Sequence, residues 1–360
     1  MTDKEAYIAF NLTERIGSVG VGAMLAKGMS VAEAWESYPC RLSRAGGEVN
    51  VASELEKAEK YGVEIFTPAD EGYPAQLLAR RGHPLALYVK GDAKALSLPS
   101  VAIVGTRRAT AYGLDRAAAT AENLAASGIC IVSGLALGID AEAHRGALAG
   151  GGATVGVIGS GLDEFYPREN RGLAREIAAK GGAVISEFPF GRPPDQKTFP
   201  QRNRIVAGLS RGVLVVESRL SGGSLITAGD AAEMGVPVMA LPGRVDSPSS
   251  AGCLKLIRDG ARLVRDARDI LEEIGSLFPD VPVPDAAALP RRRGRQDVSP
   301  LSPAETAVLD CIDREGVCMD GIVRATGLSA AAVNAAAMSL RLKGRARFLP
   351  GNILALPRED

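Results

Sequence analysis

Six consecutive residues, Phe199-Pro200-Gln201-Arg202-Asn203-Arg204, gather an aromatic ring, an amide and two guanidinium groups. A guanidinium binds phosphate through two parallel hydrogen bonds, and an exposed ring stacks on a base. We expect the stretch at a strand-to-helix junction. With Lys197 close by, it suits an anionic, planar ligand: a nucleotide or a single strand of nucleic acid. The competing account is that Arg202 and Arg204 pair with Glu187 or Glu217 at neighbouring strand ends.

Two other turns carry phosphate chemistry. Val101–Val104 runs into Gly105-Thr106-Arg107-Arg108, ahead of a helix that opens near Tyr112-Gly113. Backbone amides, a hydroxyl and a guanidinium at such a turn make an anion site. No Gly-Lys-Ser/Thr follows, so it is not a P-loop, and the glycine spacing of the dinucleotide fingerprint is missing. Ser221-Gly222-Gly223-Ser224-Leu225-Ile226-Thr227 follows a later strand. Its glycines admit a ligand close to the backbone, and Ser224 and Thr227 can donate to phosphate; Ser224 also qualifies as a helix N-cap. Gly156–Gly161 matches the dinucleotide pattern only in part, with no acidic residue at ribose distance, so no cofactor is expected.

Asp140 and His144 are four residues apart and share a helix face. His83 is the other histidine, set beside Pro84, so a metal centre or catalytic dyad is not indicated. The pair is expected to share a hydrogen bond that orients the loop 133–140. No Ser-His-Asp or Cys-His arrangement stands out, so no catalytic residue and no metal ligand are assigned.

The elements that must position these groups alternate. Apolar, β-branched runs occur at Val101–Val104, Ile129–Val132, Thr154–Ile158, Ala183–Ile185, Val213–Val216, Pro237–Leu241 and Ala261–Val264. Helix-compatible segments lie between them, at Tyr112–Ser127, Ala141–Ala149, Arg168–Lys180 and Ser224–Met234. Continuous apolar strands separated by helices predict an α/β, Rossmann-like, doubly wound and mainly parallel sheet, with ligands bound outside the carboxyl ends of its strands.

Residues 1–75 read as a small helical domain, with Leu12–Val19 and Val31–Ser37 flanking Gly20-Val21-Gly22; a helix-hairpin-helix is one reading and a plain helical cap the other. The sheet domain is placed at 76–276. Residues 277–302 have linker composition, including Arg291-Arg292-Arg293-Gly294-Arg295. Residues 303–360 predict helices at Ala304–Glu315, Asp320–Thr326 and Ser329–Lys343. A hairpin follows, Arg345–Leu349 and Ile353–Leu356 around Pro350-Gly351-Asn352, giving a winged helix. Its third helix offers a DNA groove only Asn334 before Arg341, which favours packing or protein contact.

The 42 basic residues balance the 42 acidic ones in 360, so no global field draws in polyanions, and binding charge must be local. Five scattered cysteines without a CxxC pair fit a reducing compartment. No apolar run is long enough to span a bilayer, and no signal-peptide core stands at the start. A cytoplasmic protein that does not enter membranes is expected.

Together these stretches resemble the DNA-processing protein A (DprA, or Smf) family of bacteria. The resemblance is carried by Val101–Arg107 with Tyr112-Gly113, Ile131–Ala136 through Gly138-Ile139-Asp140, and Ala143-His144. It continues through Gly159–Asp163, Tyr166-Pro167, Asn170, Ser186-Glu187, Phe199–Ser210, Ser221–Ala228 and Leu241-Pro242-Gly243, with Asp70, Tyr73-Pro74 and Leu77 upstream. It implies a dimeric, non-catalytic binder of single-stranded DNA that shields incoming strands and helps load RecA recombinase in natural transformation. Carried over, Gly105, Thr106 and Arg107 form the first phosphate turn. Arg202, Asn203 and Arg204 line the pocket beside Phe199, and Gly223, Ser224 and Thr227 close it. The alternative is a nucleoside-monophosphate ribohydrolase on a similar scaffold; such enzymes carry Gly-Gly-x-Gly-Thr and a catalytic Glu, where this chain has Leu225-Ile226 and Gly229.

Overall fold

A computed structural model describes residues 1–13, 16–39, 47–277, 301–313, 315–343, 345–349 and 352–356. The chain divides into two compact units, Met1–Leu289 and Pro290–Asp360. The expected linker 277–302 lies almost wholly outside the described residues, as do Pro350 and Gly351 of the expected hairpin turn.

In the first unit, α1 (Asp3–Leu12), α2 (Ser18–Leu25), α3 (Val31–Ser37) and α4 (Val51–Tyr61) precede β1 (Glu64–Phe66). Then come α5 (Ala75–Leu78), β2 (Leu87–Gly91), β3 (Ser100–Val104), α6 (Ala111–Ala126), β4 (Cys130–Ser133), α7 (Ile139–Ala149) and β5 (Thr154–Val157). The unit continues with α8 (Arg171–Ala179), β6 (Ala183–Ser186), α9 (Thr198–Leu209), β7 (Val213–Val215), α10 (Ser224–Glu233), β8 (Val238–Ala240), α11 (Ala251–Arg258), β9 (Arg262–Leu263) and α12 (Ala267–Leu277).

The strands form one sheet in the order β1-β2-β6-β5-β4-β3-β7-β8-β9. From β3 the chain winds through β4 and β5 to β6 on one side, then returns to place β7 on β3's other edge, all in parallel. The gap between β3 and β7 is therefore the topological switch point, where open α/β sheets bind ligands. β3–β6 are buried throughout, as strands covered on both faces must be. One core holds Ala102, Val104, Val132, Ile205 and Val215; the opposite core holds Val101, Ile103, Ile131, Leu124 and Ile270.

Several local expectations are corrected. β1 lies inside the segment read as helical and pairs antiparallel with β2, which pairs antiparallel with β6. Leu12–Val19 is not one helix: the backbone of Thr13 turns extended at the end of α1, and α2 starts at Ser18 with Gly20 and Gly22 inside it. A capping box between Thr2 and Glu5 starts α1 instead. Phe199–Arg204 does not sit at a strand-to-helix junction but inside α9, which begins well after β6.

The second unit holds α13 (Pro303–Leu309), β10 (Val317–Cys318), α14 (Met319–Thr326), α15 (Ala330–Leu342), β11 (Arg347–Leu349) and β12 (Ile353–Ala355). Its sheet order is β10-β12-β11, which with the three helices is a winged helix. Helix α13 stops at Leu309, short of the expected Glu315, because the chain must extend into β10 beside β12.

Candidate functional site

A cleft of about 490 Å³ opens at the switch point. Its rim is the turn after β3, the turn after β4, the turn before α10, and the inner face of α9. Phe199, Arg202 and Asn203 face it, as do Gly105, Thr106, Arg107, Gly223, Ser224 and Thr227. Lys197 and Arg204 do not line it. Lys197 is exposed just before α9, and Arg204 pairs with Glu187 beside a separate hollow that borders α2.

The turn after β3 is pinned by its neighbour strand. Thr106 N–H donates to Glu217 O at 2.8 Å, and Arg108 N–H donates to Thr106 Oγ1 at 3.2 Å. The buried Glu217 carboxylate accepts from the N–H and hydroxyl of Thr110, the cap of α6, at 2.9 and 2.5 Å. Gly113 leaves the space for that carboxylate. This arrangement fixes the backbone so that Arg107 and Arg108 project outward, both exposed.

Arg202 plays a different part. It is 5% exposed, and its guanidinium donates to Gly134 O and Val157 O, while its Nε–H donates to Asn203 Oδ1 at 3.2 Å. Gly134 is clamped between two charges: a Cβ there would lie 2.5 Å from Arg202 Nη1 and 2.6 Å from Asp140 Oδ2. Asp140 accepts from Gly134 N–H at 3.0 Å and from backbone N–H groups of Ala136 and Gly105. Burial lowers Arg202 to about 10 against the pull of Asp140, and burial raises Asp140 against the pull of Arg202. Arg202 therefore remains charged at neutral pH, as the tie between α9 and the ends of β4 and β5.

Asp140 and His144 do not bond to each other, contrary to expectation. His144 reaches Thr154 Oγ1 at 2.7 Å, whose own proton goes to Ile131 O, so Nδ1 of His144 carries a proton and donates. Burial, with Arg202 and Arg145 nearby, holds its pKa at about 3, and the ring stays neutral. Asp140 orients the 133–140 loop without His144, together with Arg202 at Gly134 O and Asn170 Nδ2, which donates to Leu135 O and Ala136 O at 2.8 and 3.1 Å.

On the far rim, Ser224 is the first residue of α10, not its cap; Gly223 holds the cap position, with no side-chain cap bond. The Ser224 hydroxyl donates to Ser218 Oγ at 2.9 Å. The helix N-terminus itself faces the cleft, favouring negative charge there.

The ring chemistry lies between Arg107 and Tyr166. The Arg107 guanidinium carbon is 5.2 Å from the Phe199 ring centroid, and the Tyr166 centroid is 5.8 Å away at 47°. Tyr166 is 43% exposed and lines, with Phe199, a small hollow beside the cleft. Sequence reasoning assigned no site role to Tyr166, Arg108 or Arg219. The signals were present, since Arg108 adjoins Arg107 and Arg219 follows the strand-end pair Glu217-Ser218. Among the described residues, Arg107, Arg108 and Arg219 make no ion pair.

A doubly wound sheet whose switch-point crevice is rimmed by outward arginines, with neither a P-loop nor a dinucleotide fingerprint, defines a Rossmann-like protein with a cationic crevice. Residues 64–275 match the family model described as DNA recombination-mediator protein A, and residues 293–352 match a DprA winged helix domain. The chain belongs to this DprA/Smf family. It is 33% identical to a Smf protein of Synechocystis over 92% of this chain and 94% of that protein. It is 46% identical to Smf of Escherichia coli over 60% of this chain, spanning only 59% of the E. coli protein. The crystal structure of DNA processing protein A from Streptococcus pneumoniae matches with a TM-score of 0.62 and 34% identity, covering 76% of this chain and 98% of that one. A Helicobacter pylori DNA processing protein A, described for its single-stranded DNA binding mode, matches with a TM-score of 0.53 and 33% identity. That match covers 61% of this chain and 97% of the other.

Proposed function

We propose that the switch-point cleft holds single-stranded DNA without turning it over. The observation that carries this is the trio of exposed arginines, Arg107, Arg108 and Arg219, which make no ion pair among the described residues and line the cleft with Phe199, Arg107 lying over its ring. Phosphates meet the arginines and the α10 N-terminus, and bases meet the rings, so no sequence is preferred. The H. pylori relative's described binding of single strands supports the reading. Lys197 and Arg204, placed outside the cleft, become flanking groups at most.

The absence of turnover is part of the proposal. Gly229 stands where a ribohydrolase carries its acid, and Asp140, in the cleft wall, is engaged by three backbone N–H groups. Release of adenine from AMP would overturn it. Protection of incoming strands, loading of RecA and pairing of two copies come with family membership and are proposed for this chain on that ground. Among the described residues no helix is long and apolar enough to cross a membrane. The test is a gel shift of the full chain with matched single- and double-stranded DNA. Tighter binding of the single strand is expected, and equal affinity for both contradicts the reading.

A further inference from the structure

A second hollow, of about 240 Å³, lies away from the cleft, against α8 and the β2–β6 pair. Three cations line it, Lys90, Arg171 and Arg175, against one carboxylate, Asp163. Asp163 is committed elsewhere, accepting from Gly191 N–H at 2.9 Å with both oxygens. Arg171 and Arg175 are exposed, lie four residues apart on one face of α8, and make no ion pair among the described residues. Like charges at that spacing destabilise a helix, and the hollow sets only the one Asp163 carboxylate against them and Lys90.

The rest of the lining is apolar and planar. Tyr61 stacks on Phe190 with centroids 5.3 Å apart and an interplanar angle of 24°, yet stays 41% exposed. Lys90 Nζ donates to Tyr61 O at 2.7 Å, which fixes the end of α4 over β2. Phe165, Ala174 and Val184 complete the floor, and Lys90 is in register with Val184 across the β2–β6 pair. Helix α8 approaches this closely because Gly91 has no side chain: a Cβ there would lie 3.0 Å from Ala178 Cα, and its φ of +112° favours glycine. Cations beside an aromatic, apolar floor are what a phosphate joined to a base requires.

We propose that this hollow is a second site for a nucleotide unit, its phosphate held by Arg171, Arg175 and Lys90 and its base set against Tyr61 and Phe165. The loop after β5 joins the two sites: Leu162, Asp163 and Phe165 line the hollow, and Tyr166 and Pro167 border the Phe199 ring. A strand leaving the cleft past Tyr166 would reach it next. This source of the nucleotide rests on the cleft's being a strand site; a free mononucleotide does not.

The test compares the full-length wild type, the double variant Arg171→Ala with Arg175→Ala, and Arg107→Ala. A control, Arg116→Ala with Arg145→Ala, removes two surface cations elsewhere. Each is titrated with oligothymidylates of about 6 and about 25 nucleotides and with thymidine monophosphate. If the strand continues into the hollow, the double variant binds the long oligomer about tenfold more weakly and the short one unchanged. Its salt slope on the long oligomer then falls by about 1.4. If the hollow takes free nucleotide, thymidine monophosphate binding is lost in the double variant and kept in Arg107→Ala. Equal binding of all three probes by the double variant and the control overturns the proposal. A wild type that binds neither oligomer would sink the cleft reading alone, because the mononucleotide arm still decides the hollow.

Discussion

Arg202 and Arg107 face the same cleft and do opposite work. Arg202 is spent on two carbonyls and feels the buried Asp140 carboxylate nearby, whereas Arg107 is exposed and lies over the Phe199 ring. Replacing Arg202 with Ala strands Asp140 in the interior and should cost about 3–5 kcal/mol of stability. Thermal melting of the variant would show this, and an unchanged Tm would contradict the clamp. Gly134→Ala pushes a methyl between the two charges and should cost about 1–3 kcal/mol, read in the same way. Sequence pattern identified the right residue types here but not their burial. The competing account of an ion pair with Glu187 is what Arg204 forms, but nothing in Arg-Asn-Arg says that the first arginine turns inward onto backbone carbonyls. That depends on where α9 crosses the sheet ends, and the six-residue motif does not contain it.

At the scale of elements, the parallel strands were legible because burial on both faces demands unbroken apolar runs. β1 and β2 were not, since β1 is only three residues long and β2 is buried at Leu87–Val89 but exposed at Lys90 and Gly91. Both phosphate turns were legible from their glycines and hydroxyls. Those hydroxyls also serve the turns themselves: Thr106 Oγ1 accepts from the N–H of Arg108 two residues on, and Ser224 donates to Ser218 six residues back, local bonds set by the turn conformation rather than by residue type. In the winged helix, Glu305 caps α13 through Ser302 and accepts from Lys343 Nζ at 2.9 Å, and Ser339 also donates to it. These bonds, that with Lys343 foremost, hold its pKa at about 2, against 4.5 normally. A lowered carboxylate stabilises above its unfolded value and loses that contribution as pH falls from about 4.5 to about 2. Amide exchange in α13 and α15 should accelerate over that window, and Glu305→Gln should remove the dependence.

For the whole molecule, the balance of 42 basic and 42 acidic residues means that affinity must come from one place. The topology supplies that place: reversal of winding between β3 and β7 opens the crevice, and the ends of those two strands deliver Arg107, Arg108 and Arg219, which make no ion pair among the described residues, to its rim. A focused site of this kind binds through a few phosphate contacts, so its affinity should fall steeply with salt yet vary little with sequence. The most direct measurement is the salt-dependent affinity of the full chain and of Arg107→Ala for several unrelated single strands. Arg107→Ala should bind every strand about tenfold more weakly, with a salt slope lower by about 0.7 and an unaltered melting temperature. Affinity and slope equal to wild type would contradict the account.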